Sequence, residues 1–399
     1  MKLKLFALRL LAAAMASYRQ GPARPELDRR QLRQARVAIV KLDGIGDFIQ
    51  ATSFLRTFRR ELPQADVTVF CRQPVAEFVR QQFPGWSVVA VPWQRAVREI
   101  LLDGAIRRRL KAGPPFDLLL DLRAYRGFCE TTMASWIPAR QKIAFRNPDL
   151  PAIRWLRLPK DERIYDHLLE LPTVAAPGIP QDLQNHRTLA TWLFPQTPGA
   201  GQSLPQLTMD RAAREQVAAL LETRFQLPRE KPFLLVCPGT STPRKEYPVA
   251  ALAEAIRQVM LTHPMPVVIA GSPADERTTK PLSQLLSQQG PVVDVSGVFG
   301  LAQHLGLISL SRVVLSMDTC HAHFAGAMGT PAVVILGGGH HGFFAPWGES
   351  QTFRWLTNRL PCYGCNWECI HDRLLCIEDI SPGVIAKNVV EVLNLSARV

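Results

Sequence analysis

Three short segments carry residue types suited to holding an anion. Lys41-Leu-Asp-Gly-Ile-Gly-Asp47 sets two glycines, Gly44 and Gly46, where a strand gives way to a helix. Glycines let the main chain approach a ligand closely, and the unbonded N–H groups of a helix start favour negative charge. Asp47 near that start also suits a helix cap, a role worth about 1 kcal/mol. The segment is not the dinucleotide fingerprint G-x-G-x-x-G, because Ile49 stands where the third glycine would be. Pro238-Gly-Thr-Ser-Thr-Pro-Arg-Lys245 is a small hydroxyl-rich loop ending in two cations. Thr240, Ser241 and backbone N–H groups could donate to a phosphate, with Lys245 as a point charge; a polar surface turn would look the same. Asp318-Thr-Cys-His-Ala-His323 lies between a strand and a helix, where Asp318 and Thr319 are good cap residues. His321 and His323 are two apart and would not share a helix face, which argues against a helical two-histidine metal site.

Two further clusters stand out. Gly337-Gly-Gly-His-His-Gly342 is a flexible loop that either covers a ligand or simply turns. Cys362-x2-Cys365-x3-Cys369-x6-Cys376 gathers four of the eight cysteines. Its spacing loosely suits four thiolates around a structural zinc or iron, with free thiols or a redox pair as the alternatives. Cys71, Cys129 and Cys237 sit in apolar surroundings and read as core residues.

The elements that must position these segments read as repeated strand–helix pairs. Residues 35–42 (ARVAIVKL) form a buried strand, and a helix over 47–61 carries Phe48, Ala51, Phe54, Leu55 and Phe58 at helical spacing. Strands at 66–71, 86–91 and 116–122 and a helix over 96–110 continue the pattern. Prolines crowd 172–230, a linker-like stretch with one helix over 211–225. Alternation then restarts, with strands at 233–237, 266–271, 292–295, 312–316 and 332–336 and helices over 248–261, 277–289, 301–309 and 320–328. This predicts an α/β protein of two doubly wound parallel-sheet domains, with ligands at the C-terminal ends of the strands.

With 399 residues, 47% hydrophobic and 20% charged, the chain has globular composition, and its cysteines are too few for a disulfide scaffold. No apolar run reaches the roughly 18 residues a spanning helix needs. The net charge of +13 is confined to one half: residues 1–190 hold 31 Lys and Arg against 18 Asp and Glu, and residues 191–399 hold 16 of each. Such a half expects an anionic partner, whether nucleic acid, acidic lipid or a phosphorylated molecule, unless the charge serves solubility alone. Lys2, Arg9 and Arg19 beside Leu5, Phe6, Leu8 and Leu11 suit a helix lying on a membrane surface, or one packed on the body of the protein.

The order of these pieces resembles the bacterial lipopolysaccharide heptosyltransferases and their relatives, glycosyltransferase family nine. The resemblance rests on Leu42-Asp-Gly-Ile-Gly-Asp47-Phe48, then Gly239 to Lys245 before Tyr247-Pro248, then Asp318 to His323 and Gly329-Thr-Pro331. It implies a GT-B type enzyme, two Rossmann-like domains facing a central cleft. Residues 35–185 would bind the acceptor and 231–380 the nucleotide sugar, with a basic segment at 1–34, a linker at 186–230 and a C-terminal helix at 381–399. It implies Asp47 as general base in an inverting transfer. Gly44, Gly46, Thr240, Ser241, Lys245, Asp318, Thr319 and His323 would meet the donor, ADP-heptose foremost. Arg123 and Arg126, after the strand 116–122, would meet an anionic lipid-linked saccharide. A lysine and a helix start replace a catalytic metal in this scheme, and some relatives hold iron at C-terminal cysteines. Cys320 departs from the family, which has glycine after Asp-Thr. The implied place is the cytoplasm, peripheral to the inner face of the inner membrane, with no nucleic-acid partner. The rivals are a sugar-nucleotide epimerase, which has no use for the basic half, and a non-catalytic saccharide-binding protein, which would leave a nucleotide sugar intact.

Overall fold

Arg36–Lys41 (β1, RVAIVK) is buried from Val37 onward because it is flanked on both sides by other strands and covered on both faces. The computed structural model describes residues 2–19, 27, 29–92, 101–147, 157–158, 160–171 and 180–396. The chain divides into two units, Met1–Val174 with Asn185–Ser203, and Ala175–Gln184 with Leu204–Val399.

The first unit holds β1, β2 (Asp66–Arg72), β3 (Ser87–Val91), β4 (Phe116–Asp121), β5 (Ala139–Phe145) and β6 (His167–Leu169) in the order β3-β2-β1-β4-β5-β6, every pair parallel. The second holds β7 (Leu234–Cys237), β8 (Val267–Ile269), β9 (Val292–Asp294), β10 (Val313–Met317), β11 (Ala332–Ile335) and β12 (Phe353–Leu356) in the order β12-β11-β10-β7-β8-β9, also parallel. Counted within each unit, both orders are 3-2-1-4-5-6. The strand order therefore reverses between β1 and β4 and between β7 and β10, and at such a switch point the loops leaving the two strands diverge and open a crevice.

Helices follow the strands. In the first unit α1 (Lys2–Met15) precedes the sheet, α2 (Ile45–Glu61) follows β1, α3 (Gln73–Gln82) follows β2, α4 (Gly104–Lys111) follows β3, and α5 (Phe128–Trp136) follows β4. Next come α6 (Gln181–Leu193), α7 (Arg211–Phe225), α8 (Val249–Thr262), α9 (Glu276–Leu286), α10 (Leu301–Leu310), α11 (Cys320–Met328), α12 (Leu375–Glu378) and α13 (Pro382–Ser396). The helix expected over 96–110 is observed from Gly104; residues 96–100 lie outside the described residues.

Several elements go beyond the sequence expectation, α3, β6, β12 and α12 among them, and for three others the physical reason is plain. In α5, FCETTMASW, eight of nine side chains are buried, so no polar face marks a period. In β5 the polar ARQK start hides a buried IAF end. Within the proline-rich stretch α6 buries Leu183, His186, Leu189 and Leu193 at helical spacing, with a polar His186 breaking the apolar stripe.

Candidate active site

In the first unit the switch-point loops carry a network of charge. Lys41, the last residue of β1, is only 1% exposed, a position that an ammonium tolerates only beside a carboxylate. Its Nζ lies 2.7 Å from Asp43 Oδ2, and Arg123 Nε from the loop after β4 lies 2.8 Å from Asp43 Oδ1. Arg123 Nη1 continues to Glu130 Oε1 at 2.5 Å, and Arg72 Nε donates to the Leu42 carbonyl at 2.6 Å. Burial would raise the Asp43 carboxyl, but Arg123 and then Lys41 hold it at about 2. Burial disfavours the Arg123 cation, yet Asp43 and Glu130 overcome this and hold its pKa above the usual arginine value.

Asp47 sits three residues into α2, whose N-cap is Gly44, and its Oδ2 accepts from the Gly44 N–H at 2.9 Å. A Cβ on Gly44 would come within 3.2 Å of that oxygen, so glycine leaves the carboxylate room to fold back. Asp47 is half-buried, and so are Gly44 and Gly46; both glycines belong to this half-site in the first unit. The helix-cap expectation for Asp47 is thus met, and the cap fixes the carboxylate's orientation. Arg123 keeps a 28% exposed side chain beside this network. Arg126 corrects the expectation of an acceptor contact. Its side chain is fully buried, stacked 4.8 Å over Tyr165, between Asp121 at 3.9 Å and Asp161 at 4.0 Å, and donating to the Arg123 carbonyl. Its work is to shape the loop that carries Arg123.

In the second unit the loop after β7 and the start of α11 after β10 meet at the equivalent switch point. Lys245 Nζ lies 3.3 Å from Asp318 Oδ2 and 5.1 Å from the centre of the Trp367 ring. Thr240 Oγ1 donates to the Thr242 carbonyl at 2.6 Å, which tightens the turn, and Ser241 is exposed. A Cβ on Gly239 would fall 2.2 Å from Asp275, so the loop passes where only glycine fits. Thr319 is the N-cap of α11 and makes no side-chain cap bond, and the first-turn N–H groups of a helix favour an anion. Burial pushes the Cys320 thiol up to about 12, so the residue in place of the family glycine is a neutral thiol and adds no negative charge.

His323 is held inside the second unit by an indole. It is 5% exposed, its Nδ1 accepts from Trp347 Nε1 at 3.0 Å, and its ring lies parallel to that indole. Burial pushes it down to about 4. Asp318 and Lys245 also act on this ring, so His323 stands beside the Lys245–Asp318 pair, with Nδ1 engaged by Trp347.

The first three glycines of the Gly337–Gly342 loop are themselves covered by side chains. A Cβ on Gly338 would meet the Tyr363 ring at 2.4 Å, and one on Gly339 the Trp367 ring at 2.3 Å. Both aromatics come from the cysteine-rich segment, which is pinned by Gly364 N–H to the Gly338 carbonyl and Asn366 N–H to the Gly339 carbonyl. Cys362, Cys365, Cys369 and Cys376 line one small cavity with His371. Among the described residues, however, no group of three His, Cys, Asp or Glu is placed to hold a metal ion, so the four thiols as arranged do not fit the expected zinc or iron. Cys369 instead donates its S–H to the Arg373 carbonyl at 3.7 Å.

Sequence reasoning missed Asp43, Glu130, Arg72 and Trp367. Asp43 had a signal, since it stands in the same strand-end motif as Asp47. Trp367 had none, because its contact with Lys245 spans more than a hundred residues.

Two doubly wound units with strand order 3-2-1-4-5-6, each with its polar residues at the switch point, are the architecture of a GT-B type protein. Residues 166–371 match the model of glycosyltransferase family 9 (heptosyltransferase), and the chain belongs to that family. It is 26% identical over 136 residues to lipooligosaccharide heptosyltransferase 2 of Haemophilus influenzae; the match covers 33% of this chain and spans 39% of that relative's length. The fold is similar to the glycosyl transferase family 9 structure from Veillonella parvula, with TM-score 0.69 at 16% identity over 91% of this chain and 98% of that one. It is also similar to the E. coli ADP-heptose lps heptosyltransferase II, with TM-score 0.66 at 17% identity over 91% and 99%.

Proposed function

We propose that the protein is an inverting glycosyltransferase that moves heptose from ADP-heptose to a phosphorylated, lipid-linked saccharide of the lipopolysaccharide core. The observation that carries this reading is the placement of Asp47, Lys245 and the start of α11 at the strand-end switch points of their units. In the proposed reaction the acceptor hydroxyl gives its proton to Asp47 as its oxygen attacks the anomeric carbon. The bond from that carbon to the diphosphate oxygen breaks on the opposite face. The leaving diphosphate gains charge, which Lys245 and the first-turn N–H groups of α11 are oriented to meet. Donors fixed before reaction can supply several kcal/mol of transition-state stabilisation, on the order of 3 for a single hydrogen bond. Ser241, the exposed hydroxyl of the same loop, adds a donor. Arg123 is the cation suited to an acceptor phosphate.

The basic excess of residues 1–190 supports a peripheral position on the anionic inner face of the inner membrane. A thermal-shift screen of ADP, UDP, GDP and their sugars tests the donor, followed by release of the diphosphate on adding a core saccharide. Stabilisation by ADP-heptose with acceptor-dependent release is the expected result. No stabilisation by any nucleotide, with no release, defeats the reading.

A further inference from the structure

A cavity of about 620 Å³ opens in the first unit at the N-terminal end of β5. The sheet is parallel, so this is the end opposite the one that carries Asp47. Its volume lies within the roughly 300–1,000 Å³ of small-ligand sites. Its wall includes Arg19, Lys111, Arg140 and Lys142 against one carboxylate, Asp166, with apolar surface from Trp136 and its neighbours.

Two helices, α4 and α5, end at the cavity, and exposed carbonyls there would repel an anion. The carbonyls of Ala134 and Ser135 are already taken: the nine-tenths buried Lys142 donates its Nζ to them at 3.1 and 2.9 Å. Asp166 is likewise engaged, by the Lys142 N–H at 2.9 Å and by Arg19 at 3.6 Å. Lys111 and Arg140 stand exposed at the rim, Arg140 beside Asp117 at 3.4 Å. What remains is a basic, half-apolar recess.

The segment that closes one side of it is the N-terminal extension. Ser17 N–H donates to Ser135 Oγ at 2.9 Å, Arg19 N–H to the Arg163 carbonyl at 2.8 Å, and Trp136 Nε1 to the Met15 carbonyl at 2.7 Å. The same extension, in α1, exposes Phe6 at 57% and Leu10 at 53%, one helical turn apart on one face. An extension that both walls a basic cavity and displays an apolar pair fits a lipid surface better than a soluble anion.

We propose that this cavity binds the phosphate headgroup of an anionic phospholipid, with Lys111 and Arg140 contacting the phosphate while Phe6 and Leu10 enter the acyl boundary. The site rests on the membrane-surface part of the reading above and not on its chemistry.

The experiment is flotation of the full chain with vesicles of phosphatidylcholine alone or mixed with phosphatidylglycerol. Binding to the mixed vesicles is expected to fall at least about tenfold in Lys111→Glu/Arg140→Glu and in Phe6→Ser/Leu10→Ser. Arg59→Glu/Arg60→Glu, which changes net charge equally on the exposed end of α2, is expected to lose no more than about twofold. Turnover of a soluble acceptor should match wild type in all three, because none of these residues lies at either switch point. Failed turnover in wild type would therefore strike the transferase reading and leave the vesicle result standing. Equal losses in the two charge-reversed variants would mean diffuse attraction and overturn the cavity. Displacement of the protein from vesicles by glycerol 3-phosphate, with binding insensitive to Phe6→Ser/Leu10→Ser, would mean a soluble phosphate and overturn the lipid assignment.

Discussion

The ammonium of Lys245 lies 5.1 Å from the centre of the Trp367 ring, with the Asp318 carboxylate 3.3 Å from the same nitrogen. Trp367 stands between Cys365 and Cys369, its carbonyl accepts from Arg244 Nη1 at 2.5 Å, and its ring presses on Gly339. The cysteine-rich segment therefore holds the loop after β7 through one indole, and the position of Lys245 depends on a residue far away in sequence.

Trp367→Leu should remove the cation–π contact, worth about 0.5–2 kcal/mol, and free the Lys245 side chain. Trp367→Phe should restore part of it, because a ring remains. Nucleoside diphosphate affinity, measured by calorimetry, should fall roughly 2- to 30-fold in the leucine variant and less in the phenylalanine variant. An unchanged diphosphate affinity in the leucine variant would show that the indole does not position Lys245.

Lys245→Ala removes the cation itself. Loss of a charge-assisted contact should cost diphosphate and nucleotide-sugar binding about 1.5–3 kcal/mol, roughly 10- to 150-fold. Lys245→Arg should recover only part, since a planar fork replaces a compact ammonium. Free nucleoside should bind as before. Equal losses for nucleoside and diphosphate would mean that Lys245 supports the loop and does not read phosphate.

Much of this was legible in the sequence. The strands of the second unit are short apolar runs such as Leu234–Cys237 and Val313–Met317, buried on both faces, and turn residues bound them. The strand-end loops carry small and charged residues in close sequence, so Asp47, Lys245 and Asp318 stood out. What hid was long-range or fully buried. Arg126 looked like a surface cation because its partners Asp121, Asp161 and Tyr165 are scattered along the chain. The Trp347 indole that engages His323 Nδ1 was likewise hidden, since it lies beyond the next strand. The thiols of 362–376 had a metal-like spacing, but the segment is shaped by the aromatics it packs on the glycine loop.

Asp43→Asn should be among the most damaging polar changes in the first unit. Lys41 would keep its buried ammonium with no carboxylate beside it, and removing one partner of a buried pair costs about 3–5 kcal/mol. Lys41→Met with Asp43→Asn should recover much of that loss, as no buried charge is left unpaired. Denaturant midpoints of the two single variants and the double variant decide it, and additive losses would contradict the pairing.

Acid should weaken the second unit through His323. Burial holds its folded pKa near 4, against 6.5 in the unfolded chain. Between those values the unfolded chain binds the proton and the folded one does not. The contribution is therefore complete above about pH 6.5, falls as the pH drops towards 4, and is fully lost below that. From near pH 7 to near pH 5 it should remove about 2 kcal/mol. His323→Gln, whose Oε1 can still accept from Trp347 Nε1, should show a smaller loss over the same interval. Identical pH slopes for wild type and variant in urea unfolding would rule His323 out as the source.

Asp47 carries two roles that one substitution can separate. As a cap, its Oδ2 accepts the Gly44 N–H at 2.9 Å; as a base, it would take a proton from the acceptor hydroxyl. Asn at this position keeps a carbonyl oxygen for the Gly44 N–H and loses the basicity. Asp47→Asn should therefore fold with wild-type stability to within about 1 kcal/mol and bind the donor nearly unchanged. Its turnover should fall about 10²–10⁴-fold, the usual contribution of a general base. Asp47→Ala loses the cap as well, so it should add a stability loss of about 1 kcal/mol without a much lower rate. Stability comes from urea unfolding, donor affinity from calorimetry, and turnover from diphosphate release with acceptor present. If Asp47→Asn keeps turnover within about tenfold while its donor affinity holds, the carboxylate serves the helix and another group takes the proton.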